Sequence, residues 1–445
     1  MKKKFVSVKS LTAGDFPLPV RHFWTNVAGD QMFKLMVVLA AIVCFCAYSP
    51  RLRVRYKKDI DPKKQNMLLL NLLCIGYSGS GKSVVDWVVG IIMRLFIERD
   101  SAERQVYGRW KEGNRRKASN QKKDEEPMVA IRYLQKFTLP VAVKYCDMMQ
   151  RKYGEGLPFF LYGSELGAFI ENRKASNEFK SVARTAYSLG EAYVRDTLYE
   201  AGCNANVDIN WCSVICGQEE ALSAYIDKKG VVMGDAGRQI LVKIKEELSE
   251  NGLSIRPMTE QQEHDINEAV EHLMEETFTE DDRLQPIHII DMRWLDKDVE
   301  CWCDQQKEVY AKTGSRAPKS FYVRASLSAF RIATMLYHLW GEDPSKQKHV
   351  RRCYYYFAQF ILDSQMAQWG KMYEAERPKD EESTAKEPTL YDVMGKRFTR
   401  NELAAEVAKR QLGTAPRQFI YTWMTVKNWI YEVEGEPDTY EKIYT

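Results

Sequence analysis

The stretch MLLLNLLCIGYSGSGKSVVDWVVGIIMRLFI, residues 67–97, decides the fold class. Its first nine residues form an apolar run of strand length, which is typical of a parallel strand covered on both faces. A polar, Gly-rich turn follows, and residues 84–97 are apolar at helical spacing. Strand, Gly-rich loop and helix in this order predict an α/β protein with a mostly parallel sheet.

The turn itself, GYSGSGKS at residues 76–83, matches the pattern G-x-x-x-x-G-K-[ST] in full. Such a loop wraps phosphates with its backbone N–H groups, which a Cβ at the glycines would obstruct. The lysine reaches the β- and γ-phosphates and the final hydroxyl ligates Mg²⁺. The sequence therefore predicts an ATP and Mg²⁺ site, with contacts from Gly76, Ser78, Gly79, Ser80, Gly81, Lys82, Ser83 (also the Mg²⁺ ligand) and Val84.

A second apolar run, LPFFLY at residues 157–162, ends in Gly163, Ser164 and Glu165. Phosphoryl-transfer sites need an acidic residue at a neighbouring strand end to hold Mg²⁺ or to orient the attacking water. Glu165 is the predicted catalytic carboxylate, and the alternative is a carboxylate that only favours a helix N-terminus. Ser164 stands where an aspartate would be expected, which removes one charge from the magnesium site.

Two further positions are candidate site residues. Gln218 follows the apolar strand WCSVICG and either contacts the nucleotide or only caps the next helix. Arg256, in a Gly-led turn, is the preferred arginine finger, which a neighbouring subunit would use to stabilise the transferring phosphoryl group. Arg324 and Arg331 are its rivals.

Charge is unevenly distributed, although 65 Lys and Arg against 61 Asp and Glu leave a net charge of only +4. Residues 1–123 sum to +15 and the remainder to −11. A basic region of this size favours a phosphate-rich partner, although basic faces are also common as plain solvated surface. We expect contact with single- or double-stranded DNA in the front of the chain, and the predicted DNA-binding residues there are Arg104, Arg109, Arg115, Arg116 and Lys117.

The composition and the ten scattered cysteines indicate a globular cytoplasmic protein with reduced thiols, and they argue against a disulfide scaffold or a Cys-based zinc module. The apolar run at residues 35–47 is shorter than the about 18–20 residues that cross a bilayer, so a buried core helix is expected, with membrane attachment as the alternative. None of the six histidines shows metal spacing, and each is expected to be structural or solvated.

The C-terminal residues 389–445 predict three helices and a hairpin, the outline of a winged helix. Arg417 and Lys427 would face DNA in the DNA-reading version. However, this module holds equal numbers of basic and acidic residues, so a protein-contacting winged helix is about as well supported. Five segments are expected: a basic helical segment packed on the core (1–64), a P-loop core (65–300) with a charged extension (101–127), a helical subdomain (301–375), a linker (376–388) and this module.

From the P-loop onward, the order of landmarks resembles a family of P-loop proteins of bacterial mobile elements and phages that is similar to the helicase half of primase-helicases. The resemblance rests on residues 68–83, the segment LPFFLYGSELGAF, residues 183–222, the GLSIR turn and the helix at 324–337. It implies a RecA-like or AAA-like core that hydrolyses ATP and forms an oligomer, as in a hexameric ring. No primase zinc module precedes the loop, so priming or recombination would need a separate partner.

Two functions follow as hypotheses. The leading one is an ATP-driven DNA helicase or translocase of a mobile element. The alternative is a slowly hydrolysing, ATP-switched assembly or regulatory protein whose winged helix contacts a protein partner.

Overall fold

A computed structural model gives the fold, and it describes residues 10–167, 169–170, 177–188, 192–195, 205–244, 255–313, 315–376, 390–410, 412–413, 415–426, 430–433 and 435–442. The chain forms two compact units, Met1–Glu376 and Arg377–Thr445. The helices and strands of the first unit are α1 (Leu18–Asn26), α2 (Gln31–Tyr48), β1 (Leu52–Val54), β2 (Asn71–Gly76), α3 (Val84–Ile92), α4 (Arg94–Arg116), β3 (Tyr133–Leu134), α5 (Leu139–Tyr153), β4 (Phe159–Gly163), α6 (Asn177–Thr185), β5 (Ala192–Arg195), β6 (Ala205–Asp208), β7 (Trp211–Gly217), α7 (Glu219–Tyr225), α8 (Lys228–Met233), β8 (Ile240–Ile244), α9 (Glu260–Glu275), β9 (His288–Ile290), α10 (Asp296–Thr313), α11 (Ala317–His338), α12 (Gln347–Gln365) and α13 (Lys371–Glu376).

The central sheet has five strands in the order β3-β4-β7-β2-β8, and every neighbouring pair is parallel. Leu73 of β2 lies opposite Ile215 of β7 on one side and Leu241 of β8 on the other. All residues of β2 are buried, since neighbouring strands and packed helices surround it, and this burial explains the apolar run. The predicted α/β class with a mostly parallel sheet is confirmed.

Among the described residues, the first unit also contains two smaller sheets. Strands β5 and β6 form an antiparallel pair, and β1 pairs in parallel with β9. The short strand β9 does not join the central sheet. Its three residues pair with Leu52–Val54 instead.

Helix α2 packs against α3 and against strands β7 and β8 of the central sheet. Asp30 caps its N-terminus, because the carboxylate accepts a hydrogen bond from the Phe33 backbone N–H at 2.8 Å. Among the described residues this is the single helix long and apolar enough to span a membrane, with a mean hydropathy of 2.0, and 83% of that stretch is buried inside the fold. Its apolar surface is therefore satisfied by the protein core.

Helix α4 contains most of the expected charged extension and is anchored at its base. The Asp100 carboxylate accepts hydrogen bonds from the backbone N–H groups of Arg132, at 2.7 Å, and of Tyr133. The buried Arg132 guanidinium donates to the carbonyl oxygens of Pro158 and Ala47 and stacks over Phe96. From residue 101 to residue 116 the described side chains are half-buried or exposed, so the helix leaves the core there.

The second unit contains a small antiparallel sheet of three strands, β10 (Arg397–Thr399), β11 (Ile430–Glu432) and β12 (Thr439–Lys442). Within the described residues, the strand order is β10-β12-β11. The third expected helix begins with α-helical turns at Pro416–Tyr421 and continues as a π-helical turn, Thr422–Val426. Strand β10 is an element that the sequence reasoning missed. The elements of this unit are α14 (Leu390–Val393), β10 (Arg397–Thr399), α15 (Arg400–Lys409), α16 (Pro416–Tyr421), β11 (Ile430–Glu432) and β12 (Thr439–Lys442).

Candidate functional site

A cavity of about 550 Å³ opens at the carboxyl edge of the central sheet, where β2, β4 and β7 end. Parallel strands deliver their C-terminal residues to one edge, so three segments far apart in sequence converge there. The volume lies within the about 300–1,000 Å³ that is usual for small-molecule sites. The cavity is lined by Ser78, Gly79, Gly81, Lys82, Ser83, Val84, Asp86, Ser164, Glu165, Cys216, Gly217, Gln218 and Ile255.

The 76–83 loop connects β2 to α3 in a conformation that requires glycine. Gly79 and Gly81 both have φ of +78°, a region that a side chain rarely tolerates. A Cβ on Gly76 would lie 2.5 Å from the Ser80 hydroxyl oxygen. The buried Ser80 side chain therefore packs into the space that Gly76 leaves, which holds the loop close to the end of β2.

Lys82 folds back over its own loop. Its Nζ donates hydrogen bonds to the carbonyl oxygens of Gly76, at 2.7 Å, and Tyr77, at 2.6 Å, and to the Ser80 hydroxyl at 3.3 Å. These acceptors hold the ammonium group beside the cavity that the lysine lines. The positive charge is thus positioned by the loop and faces no carboxylate within ion-pair distance among the described residues.

The loop leads into the N-terminus of α3, where donors are available. Among the described residues, the backbone N–H groups of Gly79, Gly81, Lys82 and Ser83 have no backbone acceptor. Unpaired N–H groups and the positive end of the helix dipole make such a terminus suited to an anion. Asp86, one turn into the helix, also lines the cavity, and burial raises the pKa of its carboxyl.

Glu165 lies exposed in the cavity wall directly after β4, beside the exposed Ser164. Two strand-end glycines make room for the turn that presents it. A Cβ on Gly217 would lie 2.6 Å from the Leu166 Cβ, and one on Gly163 would lie 2.4 Å from the Phe169 ring. The sequence analysis did not predict that Gly163 and Gly217 pack against this turn. The presence of a glycine at the end of both strands could have indicated it.

Gln218 is the N-cap residue of α7, yet its side chain makes no capping hydrogen bond. The side chain is exposed and lines the cavity. Of the two interpretations, side-chain capping receives no support from this geometry. The amide is free to donate and accept within the cavity.

Arg256 lies at the edge of the same region. Its neighbour Ile255 lines the cavity and forms a β-bridge with Val27, and the Arg256 backbone N–H donates to the Asn26 carbonyl at 2.8 Å. The Arg256 side chain is exposed, as an arginine that reaches another subunit must be.

The two rival arginines are built into the fold. Arg331 is 1% exposed and donates to the carbonyl oxygens of Leu69, at 2.8 Å, and Tyr187, at 3.2 Å. The Arg324 guanidinium packs so closely on Gly234 that a Cβ there would lie 2.4 Å from it, and burial lowers its pKa. Of the three candidates, Arg256 is the one with an exposed side chain next to the cavity.

The predicted DNA-contacting residues of the first unit lie on or directly after α4. Arg104 donates to the Tyr133 carbonyl at 2.8 Å, Arg116 pairs with Glu112, and Lys117 pairs with Asp124. Within the part of the chain that the structure describes, Arg109 and Arg115 have no ion-pair partner, and both are exposed.

Of the two predicted DNA-contacting residues of the second unit, Arg417 and Lys427, the structure describes only Arg417. Arg417 is exposed in the first turn of α16, whereas Lys427 lies outside the described residues.

No protein-family model matches the chain, and no curated protein matches it significantly. Function must therefore be argued from the cavity and its chemistry. In chemical terms, the cavity combines a cation, helix-terminal N–H donors, a hydroxyl, an exposed carboxylate and a free amide. This set is suited to a polyanionic ligand with a bound metal ion.

Proposed function

We propose that the protein binds ATP with Mg²⁺ in the cavity at the end of β2, β4 and β7 and hydrolyses it. The observation that carries this proposal is the convergence of the 76–83 loop, Glu165 and Gln218 on one cavity. The loop pattern by itself does not require a carboxylate and an amide from two other strand ends to line the same cavity, so their convergence supports the proposal.

Each residue has a role that its position supports. The free N–H groups of the loop and Lys82 would hold the phosphates, and Ser83 would ligate Mg²⁺. Bound Mg²⁺ supplies neutralisation of the charge that develops on the phosphate oxygens. Glu165 would accept a proton from the attacking water, and Gln218 would contact the terminal phosphate.

The strand order supports a RecA-like or AAA-like core. Strand β7 lies between the strand that leads into the loop and the strand that ends at Glu165. Strands β2 and β4 are therefore two inter-strand spacings apart, about 10 Å. This distance between the loop and the Glu165 carboxylate leaves room for a triphosphate and a water molecule.

We further propose that ATP hydrolysis drives a DNA helicase or translocase in the cytoplasm. The exposed half of α4 carries the unpaired Arg109 and Arg115, and it belongs to the basic front of the chain. Such a motor acts as a homo-oligomer, in which the exposed Arg256 would complete the site of a neighbouring subunit. A separate protein partner would carry out priming or recombination, for which this sequence shows no motif.

The second unit is proposed to be winged-helix-like. Its helices α14, α15 and α16 and the hairpin formed by β11 and β12 follow the predicted order, and β10 is an additional strand in the same small sheet. Arg417 is exposed and available to DNA, but residues 389–445 have no net charge, so contact with a protein is equally consistent with this module.

One observation favours the alternative of an ATP-switched assembly protein. Ser164 provides a hydroxyl where a carboxylate would bring Mg²⁺ and water into position, and a neutral ligand stabilises the cation less. Slow turnover with ATP-dependent assembly is the outcome that this substitution favours.

The test is ATP turnover by the full chain with and without single- and double-stranded DNA, at low and high salt. We expect DNA to stimulate turnover, salt to weaken the stimulation, and Glu165→Gln to abolish turnover. Glu220→Gln, an exposed change outside the cavity, is the matched control. DNA-independent turnover near background, with a mass that increases on ATP addition, would support the switch and contradict the motor.

A further inference from the structure

Three histidines that are far apart in sequence meet at one place in the first unit. His272 lies in the last turn of α9, His338 ends α11, and His288 begins β9. The His288 and His338 ring centroids are 5.7 Å apart, and those of His272 and His338 are 6.4 Å apart. Glu276 and Glu342 lie among them, so the group contains three imidazoles and two carboxylates.

A subset of this cluster has the donor set of a metal site. Donor atoms of His272, Glu276 and His338 all lie within 4.8 Å of one another. His338 Nε2 is 2.8 Å from a Glu276 carboxylate oxygen, and His272 Nε2 is 3.5 Å from the other oxygen. In a tetrahedral zinc site the donors are about 3.3 Å apart, so small side-chain rotations would suffice. The spacing of His272 and Glu276, four residues, places both on one face of the helix end.

The second carboxylate supports this assignment. Glu342 contacts His338 Nδ1 at 3.1 Å, which leaves Nε2 directed toward Glu276. A ligating histidine usually donates its other ring N–H to a carboxylate, which fixes the ring and its tautomer. Glu342 is itself held in place by His288 Nε2 at 2.9 Å, and Gly341 and Glu342 form a turn with positive φ.

The cluster is accessible from solvent. His272 and His338 line a cavity of about 460 Å³ together with Leu18, Asp265 and Glu268. Three protein ligands with an open side match sites in which a water or a substrate group takes the fourth position. Four carboxylates, those of Asp265, Glu268, Glu271 and Glu275, also line this cavity, and their negative charge favours a cation.

We propose that His272, Glu276 and His338 bind one divalent transition-metal ion, Zn²⁺ by donor type, with Glu342 as the residue that positions His338. The competing state is a proton on His338. Burial opposes that charge, but hydrogen bonds to Glu276 and Glu342 outweigh it and raise the pKa of the imidazole to about 9. Either a metal or a proton can therefore satisfy the two carboxylates, and metal stoichiometry distinguishes the two.

The experiment uses the full chain, stripped with chelator and dialysed against Zn²⁺, with bound metal measured by elemental analysis. Co²⁺ is the second probe, because its visible bands report ligand type and geometry. We expect about one equivalent of metal per chain, without thiolate bands. His272→Ala should weaken binding at least tenfold, while His264→Ala, an exposed change on the same helix, should not.

Because His338 is buried, its removal could disturb folding, and the exposed His272 and the positioning Glu342 avoid that problem. Glu342→Gln should weaken Zn²⁺ binding about 10–100-fold. Failure of the wild-type chain to retain stoichiometric Zn²⁺ or Co²⁺, or equal affinity of His272→Ala and His264→Ala, would overturn the proposal and leave a proton-held ion-pair cluster.

Discussion

The 76–83 loop and the His272, Glu276 and His338 cluster are two polar sites built in opposite ways. The loop is contiguous in sequence, and its glycines, lysine and serine are recognisable without a structure. The cluster takes its members from two helices more than sixty residues apart, at positions that show no metal spacing in the sequence. A site whose geometry is local can be predicted from a motif, whereas one whose geometry depends on tertiary packing cannot.

Lys82→Ala tests the contiguous site and has the largest expected effect. Removal of the ammonium group that the loop holds beside the cavity should lower ATP turnover about 100-fold or more, since a charge-assisted contact to the phosphates is lost. Steady-state phosphate release measures it. Zn²⁺ retention should not change in this variant, because the two sites share no residue. Lys136→Ala, an exposed change elsewhere, is the control, and wild-type turnover in Lys82→Ala would remove the loop from the chemistry.

The buried Asp100 carboxyl, which anchors the base of α4, also depends on tertiary packing, and its titration can be tested by varying pH. Burial raises the pKa of this carboxyl to about 6, although the backbone N–H groups of Tyr133 and Arg132 oppose the shift. The folded state thus binds more protons than the unfolded state between about pH 4 and pH 6, so stability from this group falls as pH rises through that window. Relative to Asp100→Asn, the wild-type free energy of unfolding should fall by up to about 3 kcal/mol between pH 4 and pH 7.

Urea denaturation of both proteins at several pH values measures that difference. Asn keeps an oxygen that can accept from the same backbone N–H groups, so it is the matched non-titrating control. A difference in stability that stays constant with pH would show that folding does not raise the pKa of Asp100.

Gly217→Ala tests whether strand-end packing positions the carboxylate. The new Cβ would lie 2.6 Å from Leu166, next to Glu165, so the turn must shift. We expect turnover to fall about tenfold, with a loss of about 1–3 kcal/mol in stability, while ATP still binds. Gly167→Ala in the same turn meets nothing within 4 Å and should retain both. Equal turnover in the two variants would show that the packing of Gly217 against Leu166 does not position Glu165 for catalysis.

Arg109→Ala combined with Arg115→Ala has the smallest expected effect. Loss of two phosphate contacts should weaken DNA binding about three- to tenfold at moderate salt and lower the salt slope of log K by about 2. Fluorescence anisotropy over a salt series measures both. Arg283→Ala with Lys312→Ala, two exposed changes on other elements, matches the loss of charge. An identical decrease in both double variants would indicate a general charge effect rather than contact through α4.

The distinction between local patterns and tertiary packing also explains which features could be predicted from the sequence. The apolar run before Gly76 predicted the buried central strand because a strand covered on both faces needs no alternation. The positions of Glu165 and Gln218 were predictable because parallel strands end at one edge. The order of those strands was not, since β7 enters between β2 and β4 through pairings that no local pattern encodes. For the same reason, the burial of Arg331 against Leu69 and the meeting of the histidines required the structure.

Calorimetric titration of the full chain with Mg²⁺-ATP is a direct test of the proposal that the cavity at the end of β2 binds a nucleotide. We expect saturation at one ATP per chain for the wild type, and affinity at least about tenfold weaker for Lys82→Ala, because a charge-assisted hydrogen bond contributes about 1.5–3 kcal/mol. Absence of binding by the folded wild-type chain at millimolar ATP, or equal affinity in Lys82→Ala, would contradict it.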